Sequence, residues 1–293
     1  MNESRAVPAR VFKHAAMATW FELRLADDDA AFARGAAAEV FRLLDRLEGL
    51  LSRYREESEV AIISQLIDGE SFTVSGDVFD CLALALTLGE KTGGTFDPAL
   101  GAFADRRRGV NVSAVPRGRL LLDAAALTVT CAGGRVPLDL GAIGKGYALD
   151  RAAALLREWG VASALLVAGG SSIRALTVSG AAAPRWPVGL PGGTLWLRDA
   201  ALGCSGTAVQ GAHIIDPRVG APPADSPARI WVIAPAAADA DAFSTAFMLL
   251  PPEEIKAISR REQLTVARQL RDGDPVEWLQ PPPASARHAF SWG

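Results

Sequence analysis

Residues 120–160 read LLLDAAALTVTCAGGRVPLDLGAIGKGYALDRAAALLREWG, and the hydrophobic period changes along them. Leu120–Leu122 and Leu127–Thr130 are short apolar runs on either side of Asp123–Ala126, which predicts two paired strands and a turn. Residues 136–140 are a further apolar run, read as a strand. Residues 145–159 then take helical spacing, and Gly160 suits the position just past a helix end.

The rest of the chain follows the same grammar. Residues 17–26 read as a strand leading into Asp27-Asp28-Asp29. Residues 30–51 read as an amphipathic helix, with Val40, Leu44, Leu47 and Leu51 on one stripe. A second helix is expected over 76–92, stopping at Gly93-Gly94. Ala164–Val167 reads as a buried strand ending in Gly169-Gly170, and residues 228–235 as another, closed by Pro235. Residues 239–250 read as a short helix stopped by Pro251-Pro252. From about 272 the chain is expected to be irregular, with Pro281-Pro282-Pro283 in it. Antiparallel strands outnumber β-α-β units, which favours α+β over a doubly wound parallel sheet. No internal repeat occurs and no linker splits the chain, so residues 1–293 are read as a single domain.

Composition narrows the function classes. Of 293 residues, 49% are hydrophobic and 22% charged, as in a globular protein with a sizeable core. The net charge of −3 gives no bulk electrostatic reason to bind nucleic acid or an anionic membrane. The arginines at 106–108 and 260–271 are read as solvated faces. Cys81, Cys131 and Cys204 have no C-x-x-C spacing, so neither a zinc site nor a disulfide framework is expected. No apolar stretch is long enough to span a membrane. The start, MNESRAVPARVFKHAAMATWFEL, shows no apolar signal region or lipid-attachment cysteine; the expected location is cytoplasmic, or periplasmic if a leader was removed.

Three segments carry chemistry. Asp139-Leu140-Gly141-Ala142-Ile143-Gly144-Lys145-Gly146 opens a predicted helix, whose free N–H groups suit an anion, with Lys145 adding charge. It is neither a Walker A loop nor a G-x-G-x-x-G fingerprint. A tight turn carrying an exposed lysine is the structural alternative. His213, in Ala212-His213-Ile214-Ile215-Asp216-Pro217-Arg218, is a candidate general base or a structural histidine bonded to backbone. Asp216-Pro217 reads as a turn device. In Asp239-Ala240-Asp241-Ala242-Phe243-Ser244-Thr245, Asp241 and Thr245 share a helix face, which suits either a hard cation such as Mg²⁺ or helix capping. Ser52-Arg53-Tyr54, Thr95-Phe96-Asp97, Met17-Ala18-Thr19, Gly169-Gly170-Ser171-Ser172 and Ser205-Gly206-Thr207 are weaker signals.

Taken in order, these segments resemble the ApbE-like family of FAD:protein FMN transferases, from about Met17 to Leu250. The most specific parts are DLGAIGKGYALDRA, HIIDPRVG and DADAFSTAF, supported by LSRYREESEV and GGTFDPALG. The resemblance implies a two-lobed, T-fold-like α+β architecture with FAD between intimately packed lobes. It implies that Asp139 and Lys145 contact the flavin nucleotide, and that Met17, Tyr54, Thr95, Phe96 and Asp97 line the rest of the FAD pocket. It also implies that the Ala142 carbonyl, Asp241 and Thr245 hold Mg²⁺, with His213 beside the pyrophosphate. The implied reaction moves FMN from FAD onto a Thr or Ser hydroxyl of an acceptor flavoprotein and releases AMP. Ser64 stands where the family often has Asn, Ser171 at a commonly acidic or amide position, and the usual Ser/Tyr-bearing loop reads Cys204-Ser205-Gly206-Thr207. The departures at Ser64 and Ser171 keep one alternative in play, an FAD-binding protein without transfer activity; a second is a Mg²⁺-dependent FAD pyrophosphatase giving FMN and AMP, which the same site would serve with water in place of the protein hydroxyl.

Overall fold

The computed structural model describes residues 9–27, 29–107, 118–177, 185–207, 214–223, 225–282 and 290–292. Its strands are Arg10–Ala16 (β1), Thr19–Leu25 (β2), Ser71–Thr73 (β3), Arg119–Asp123 (β4), Thr128–Ala132 (β5), Ser163–Ala168 (β6), Ser172–Thr177 (β7), Trp186–Leu190 (β8), Gly193–Leu197 (β9), Ala201–Gly206 (β10), Arg229–Ala234 (β11), Thr265–Gln269 (β12), Glu277–Gln280 (β13) and Phe290–Trp292 (β14). The helices are Ala30–Leu51 (α1), Glu59–Gln65 (α2), Gly76–Lys91 (α3), Gly101–Arg107 (α4), Gly144–Glu158 (α5), Ala237–Phe247 (α6) and Pro252–Arg261 (α7).

One eight-stranded sheet runs β1-β2-β6-β7-β10-β11-β12-β13, and two three-stranded sheets run β14-β9-β8 and β3-β5-β4. Every strand pair among the described residues is antiparallel. The α+β reading therefore holds. Side chains on the large sheet alternate between two cores, as the pleat requires. Ala164 and Leu166 of β6, with Ile230 and Val232 of β11, face a core shared with the helices. Leu165, Trp231 and Ile233 face the opposite way and meet Trp186, Val188, Leu195 and Leu197 of β8 and β9.

Local signals account for the helices. Asp29 caps α1 by accepting from the amides of Ala31 and Phe32. The expected stripe Val40, Leu44, Leu47 and Leu51 is buried; each such side chain contributes about 2 kcal/mol by leaving water. Helix α6 has no side-chain cap of its own, and Asp150 of α5 supplies one. Its two carboxylate oxygens accept from the amides of Ala237 and Ala238, both at 2.9 Å. The buried Arg174 guanidinium lies 3.5 Å from Asp150 and 3.0 Å from Asp199. Replacing Asp150 by Ala is expected to cost about 2 kcal/mol in urea unfolding, from a lost cap and a weakened partner for a buried charge. An unchanged midpoint would show that α6 does not depend on this cap.

Two expectations need correction. Residues 136–140 lie outside any strand. Pro137 has no N–H to donate; the neighbouring backbone groups bond to loops, with the amides of Gly101, Leu138 and Asp139 reaching Pro137 O, Ser64 Oγ and Pro98 O. The stretch from 272, expected to be irregular, contributes β13 and β14. Glu277 of β13 pairs with Arg268 of β12, and Leu279 is buried, so this segment closes the sheet edge despite the prolines that follow.

Candidate functional site

Two glycines set how closely the site's elements approach. A Cβ on Gly146 would lie 2.2 Å from the carbonyl oxygen of Ala237, and one on Gly203 would lie 2.3 Å from that of Ala240. The first turn of α5 and the strand β10 thus press directly against the backbone of α6. Asp241 lies in this contact and is 6% exposed. Its Oδ2 accepts from the Gly146 amide and from Ser172 Oγ, both at 2.8 Å. Its Oδ1 accepts no hydrogen bond among the described residues. Burial pushes the Asp241 carboxyl up to about 7, against the pull of Lys145, Ser172 and the Gly146 amide. A buried carboxylate held at one oxygen and open at the other suits a cation, because the ion would relieve the cost of burying the charge.

Thr245 lies one turn along α6 from Asp241, as expected from the i, i+4 spacing. The donor chemistry fits Mg²⁺: a carboxylate oxygen, a hydroxyl and the Ala142 carbonyl are hard oxygen ligands. Ala142 lies four residues before the amide bound to Asp241, in the turn that opens α5. Among the described residues no three His, Cys, Asp or Glu side chains cluster as a metal cage. A cation held by so few protein groups completes its shell with water and substrate phosphate.

The same turn gathers further expected residues. Asp139 Oδ1 accepts from the Gly141 amide at 2.9 Å, and its Oδ2 from Arg53 at 3.1 Å. Arg53, 11% exposed, also donates to the Gly101 carbonyl at 2.9 Å and to Asp105 at 2.7 Å. Its guanidinium lies 5.4 Å from the ring centre of Tyr54, which is 60% exposed. The amide of Asp139 donates to Pro98 O at 2.7 Å, which draws the Thr95-Phe96-Asp97 loop alongside. Thr95 and Phe96 are buried: the Thr95 hydroxyl bonds to Thr92 O and the Phe96 ring joins the core. Asp97 accepts from the Ala99 amide. Of the three side chains, only that of Asp97 is left partly exposed.

Met17 and Ala18 close the β1–β2 hairpin with φ of 51° and 55°. Two non-glycine residues in left-handed backbone is a strained choice for a two-residue turn. The turn lies at the sheet end where β6 runs into Gly169 and Gly170, and Ser172, which reaches Asp241, starts β7 there. Lys145 is half-buried in the first turn of α5. His213 lies outside the described residues. Asp216 and Arg218, just beyond it, form a bidentate pair that pulls the Asp216 carboxyl below its ordinary range, and Arg218 also reaches Leu249 O. The turn reading of Asp216-Pro217 agrees with the Gly220 amide bonding to Asp216 O.

Sequence reasoning quoted Arg53, Ser172 and Gly146 only as members of motifs, without these contacts, and passed over Gly203. Glycines inside an expected helix and next to Cys204 were the available signal for the two close approaches. Ser172 of β7 meets Asp241 of α6 only where the helix packs on the sheet, 69 residues apart, a separation that local spacing does not report.

Comparison with known proteins identifies the family of the chain. Residues 17–267 match the model of the ApbE family. A FAD:protein FMN transferase of Treponema pallidum is 33% identical over 273 residues, covering 79% of this chain and 75% of that one. One from Escherichia coli K12 is 25% identical over 315 residues, covering 95% of this chain and 89% of that one. The crystal structure of the Pseudomonas stutzeri flavinyl transferase ApbE, apo form, superposes with a TM-score of 0.81 at 22% identity, over 98% of this chain and 99% of that one. The flavin transferase ApbE from Vibrio cholerae gives a TM-score of 0.76 at 21% identity, over 92% of this chain and 97% of that one. The two structures show a shared fold, and the family match over most of the length shows kinship: this chain belongs to the ApbE family.

Proposed function

We propose that this protein is a Mg²⁺-dependent FAD:protein FMN transferase. The observation that carries the reading is Asp241, a buried carboxylate fixed at one oxygen to the turn that opens α5 and open at the other. The curated relatives named above are transferases of this kind, which supports it. In this reading FAD lies between the two lobes. Asp139 and Lys145 contact the flavin nucleotide, and Met17, Tyr54, Thr95, Phe96 and Asp97 line the rest of the pocket. Asp241, Thr245 and the Ala142 carbonyl hold Mg²⁺, which when bound offsets negative charge on the pyrophosphate during phosphoryl transfer.

The acceptor is a flavoprotein with a reactive Thr or Ser. His213 takes the proton from that hydroxyl as its oxygen bonds to the FMN phosphorus. The bond to the AMP phosphate breaks, and AMP leaves. The test is mass spectrometry of the protein incubated with FAD and Mg²⁺, with and without an acceptor flavoprotein. Addition of the FMN mass to the acceptor, with AMP released, supports the reading. FMN and AMP formed without acceptor would instead define a pyrophosphatase, and FAD retained intact would define a flavin-binding relative.

A further inference from the structure

Three hydroxyls and one carbonyl meet where β10 passes α6. Ser244 Oγ lies 2.9 Å and Thr245 Oγ1 3.1 Å from the backbone carbonyl oxygen of Asp241. Ser205 Oγ lies 2.8 Å from Ser244 Oγ and 3.0 Å from Thr245 Oγ1. The carbonyl only accepts, and each hydroxyl has a single proton. Four contacts therefore share three protons, and the arrangement has to choose. With Thr245 donating to the carbonyl and Ser205 donating to Thr245, the Thr245 oxygen keeps one lone pair unused. That is the state a metal ligand needs.

The backbone holds Ser205 in place for this. Ser205 follows Gly203 by two residues on β10, so both lie on the same face of the strand. Gly203 presses against Ala240, and Ser205 reaches Ser244 and Thr245 one turn further along the same helix. We propose that Ser205 is a positioning residue for the Thr245 hydroxyl: by donating to Thr245 Oγ1 it turns the remaining lone pair toward a divalent cation beside Asp241. The inference rests on the metal reading given above. Ser205 does not itself touch the ion; it fixes the rotation of the group that does, as outer partners of metal ligands do.

The experiment is a double-mutant cycle on the full chain, with Ser205→Ala, Thr245→Ala and the double variant. The probe is Mn²⁺, a hard cation suited to oxygen ligands, whose free-ion electron paramagnetic resonance signal falls as it binds. Thermal melts without metal accompany each titration. Ser205→Ala is expected to weaken Mn²⁺ binding about tenfold with little change in the metal-free melting temperature. The double variant should bind no more weakly than Thr245→Ala alone, because Ser205 acts only through Thr245. Ser205→Thr, which keeps the hydroxyl, should restore most of the affinity. Weaker binding in Thr245→Ala with none in Ser205→Ala would overturn this inference and leave the metal reading standing. Independent, additive losses would also overturn it. Unchanged binding in Thr245→Ala would overturn the metal reading, and this inference with it.

Discussion

Asp241→Asn is expected to abolish Mg²⁺-dependent FMN transfer, lowering turnover by roughly 10²–10³-fold, while the protein stays folded. The magnitude follows from losing several kcal/mol of charge stabilisation in the transition state, at about 1.4 kcal/mol per factor of ten. The fold survives because the amide carbonyl of Asn can accept the two bonds that Oδ2 now takes from Gly146 and Ser172. Its NH₂ group then faces the open side, where it repels a cation instead of binding one. Stability gives a second, independent readout. The folded-state pKa of Asp241 is raised by burial, to about 7, whereas an unfolded Asp titrates near ~4. Between these values the folded state holds a proton that the unfolded state has lost. The contribution is therefore full below about pH 4 and is lost as pH rises through about 7. Without metal, the wild-type protein should lose melting temperature relative to Asp241→Asn across that window, and no further above it. Adding Mg²⁺ at pH 8 should raise the melting temperature of the wild type and leave the variant unmoved. A variant that still responds to Mg²⁺ would place the metal elsewhere.

This behaviour was half legible in the sequence. The spacing of Asp241 and Thr245 identified a shared helix face, and the order of the motifs pointed to the family. Local spacing could not separate a helix cap from a metal ligand. The structure separates part of that question: Asp150, from a different helix, caps α6, so Asp241 is left for another task. The long helices were readable because a stripe such as Val40-Leu44-Leu47-Leu51 repeats with the helix period. The strands β7 to β10 were not, because each is short, and β7 and the first half of β10 are buried on both faces, which removes the alternation that marks a strand. Arg53 was quoted only as part of a motif. Its partners Asp105 and Asp139 lie 52 and 86 residues away, and only the folded chain brings them to one guanidinium. Ser64 reads as a departure from the family pattern, yet its hydroxyl accepts from the Leu138 amide next to Asp139, so the smaller side chain still anchors that turn.

The same close contact makes Gly146 the most sensitive small residue near the site, and Gly144 its internal control. Both lie in the first turn of α5, and an Ala at either gains helix propensity worth about 1 kcal/mol. At Gly144 a Cβ meets nothing within 4 Å, so Gly144→Ala is expected to be neutral or slightly stabilising. At Gly146 the added carbon would lie 2.2 Å from Ala237 O and 2.5 Å from the Ala237 carbonyl carbon. These are backbone atoms that no side-chain rotation moves aside, so α6 must retreat from α5. Overpacking costs about 1–3 kcal/mol or more, and the rigid backbone atoms at 2.2 and 2.5 Å put this site at the upper end, beyond the propensity gain. The retreat carries Asp241 with it and stretches the 2.8 Å bond from the Gly146 amide, so the carboxylate loses one of the two donors that orient it. Gly146→Ala should therefore lower the unfolding free energy by about 2 kcal/mol and weaken Mg²⁺ binding together, whereas Gly144→Ala leaves both in place. Urea unfolding and a metal titration on the two variants check this directly. Equal behaviour of the two would mean that α5 and α6 are not in backbone contact at Gly146, and that Asp241 is oriented by Ser172 alone.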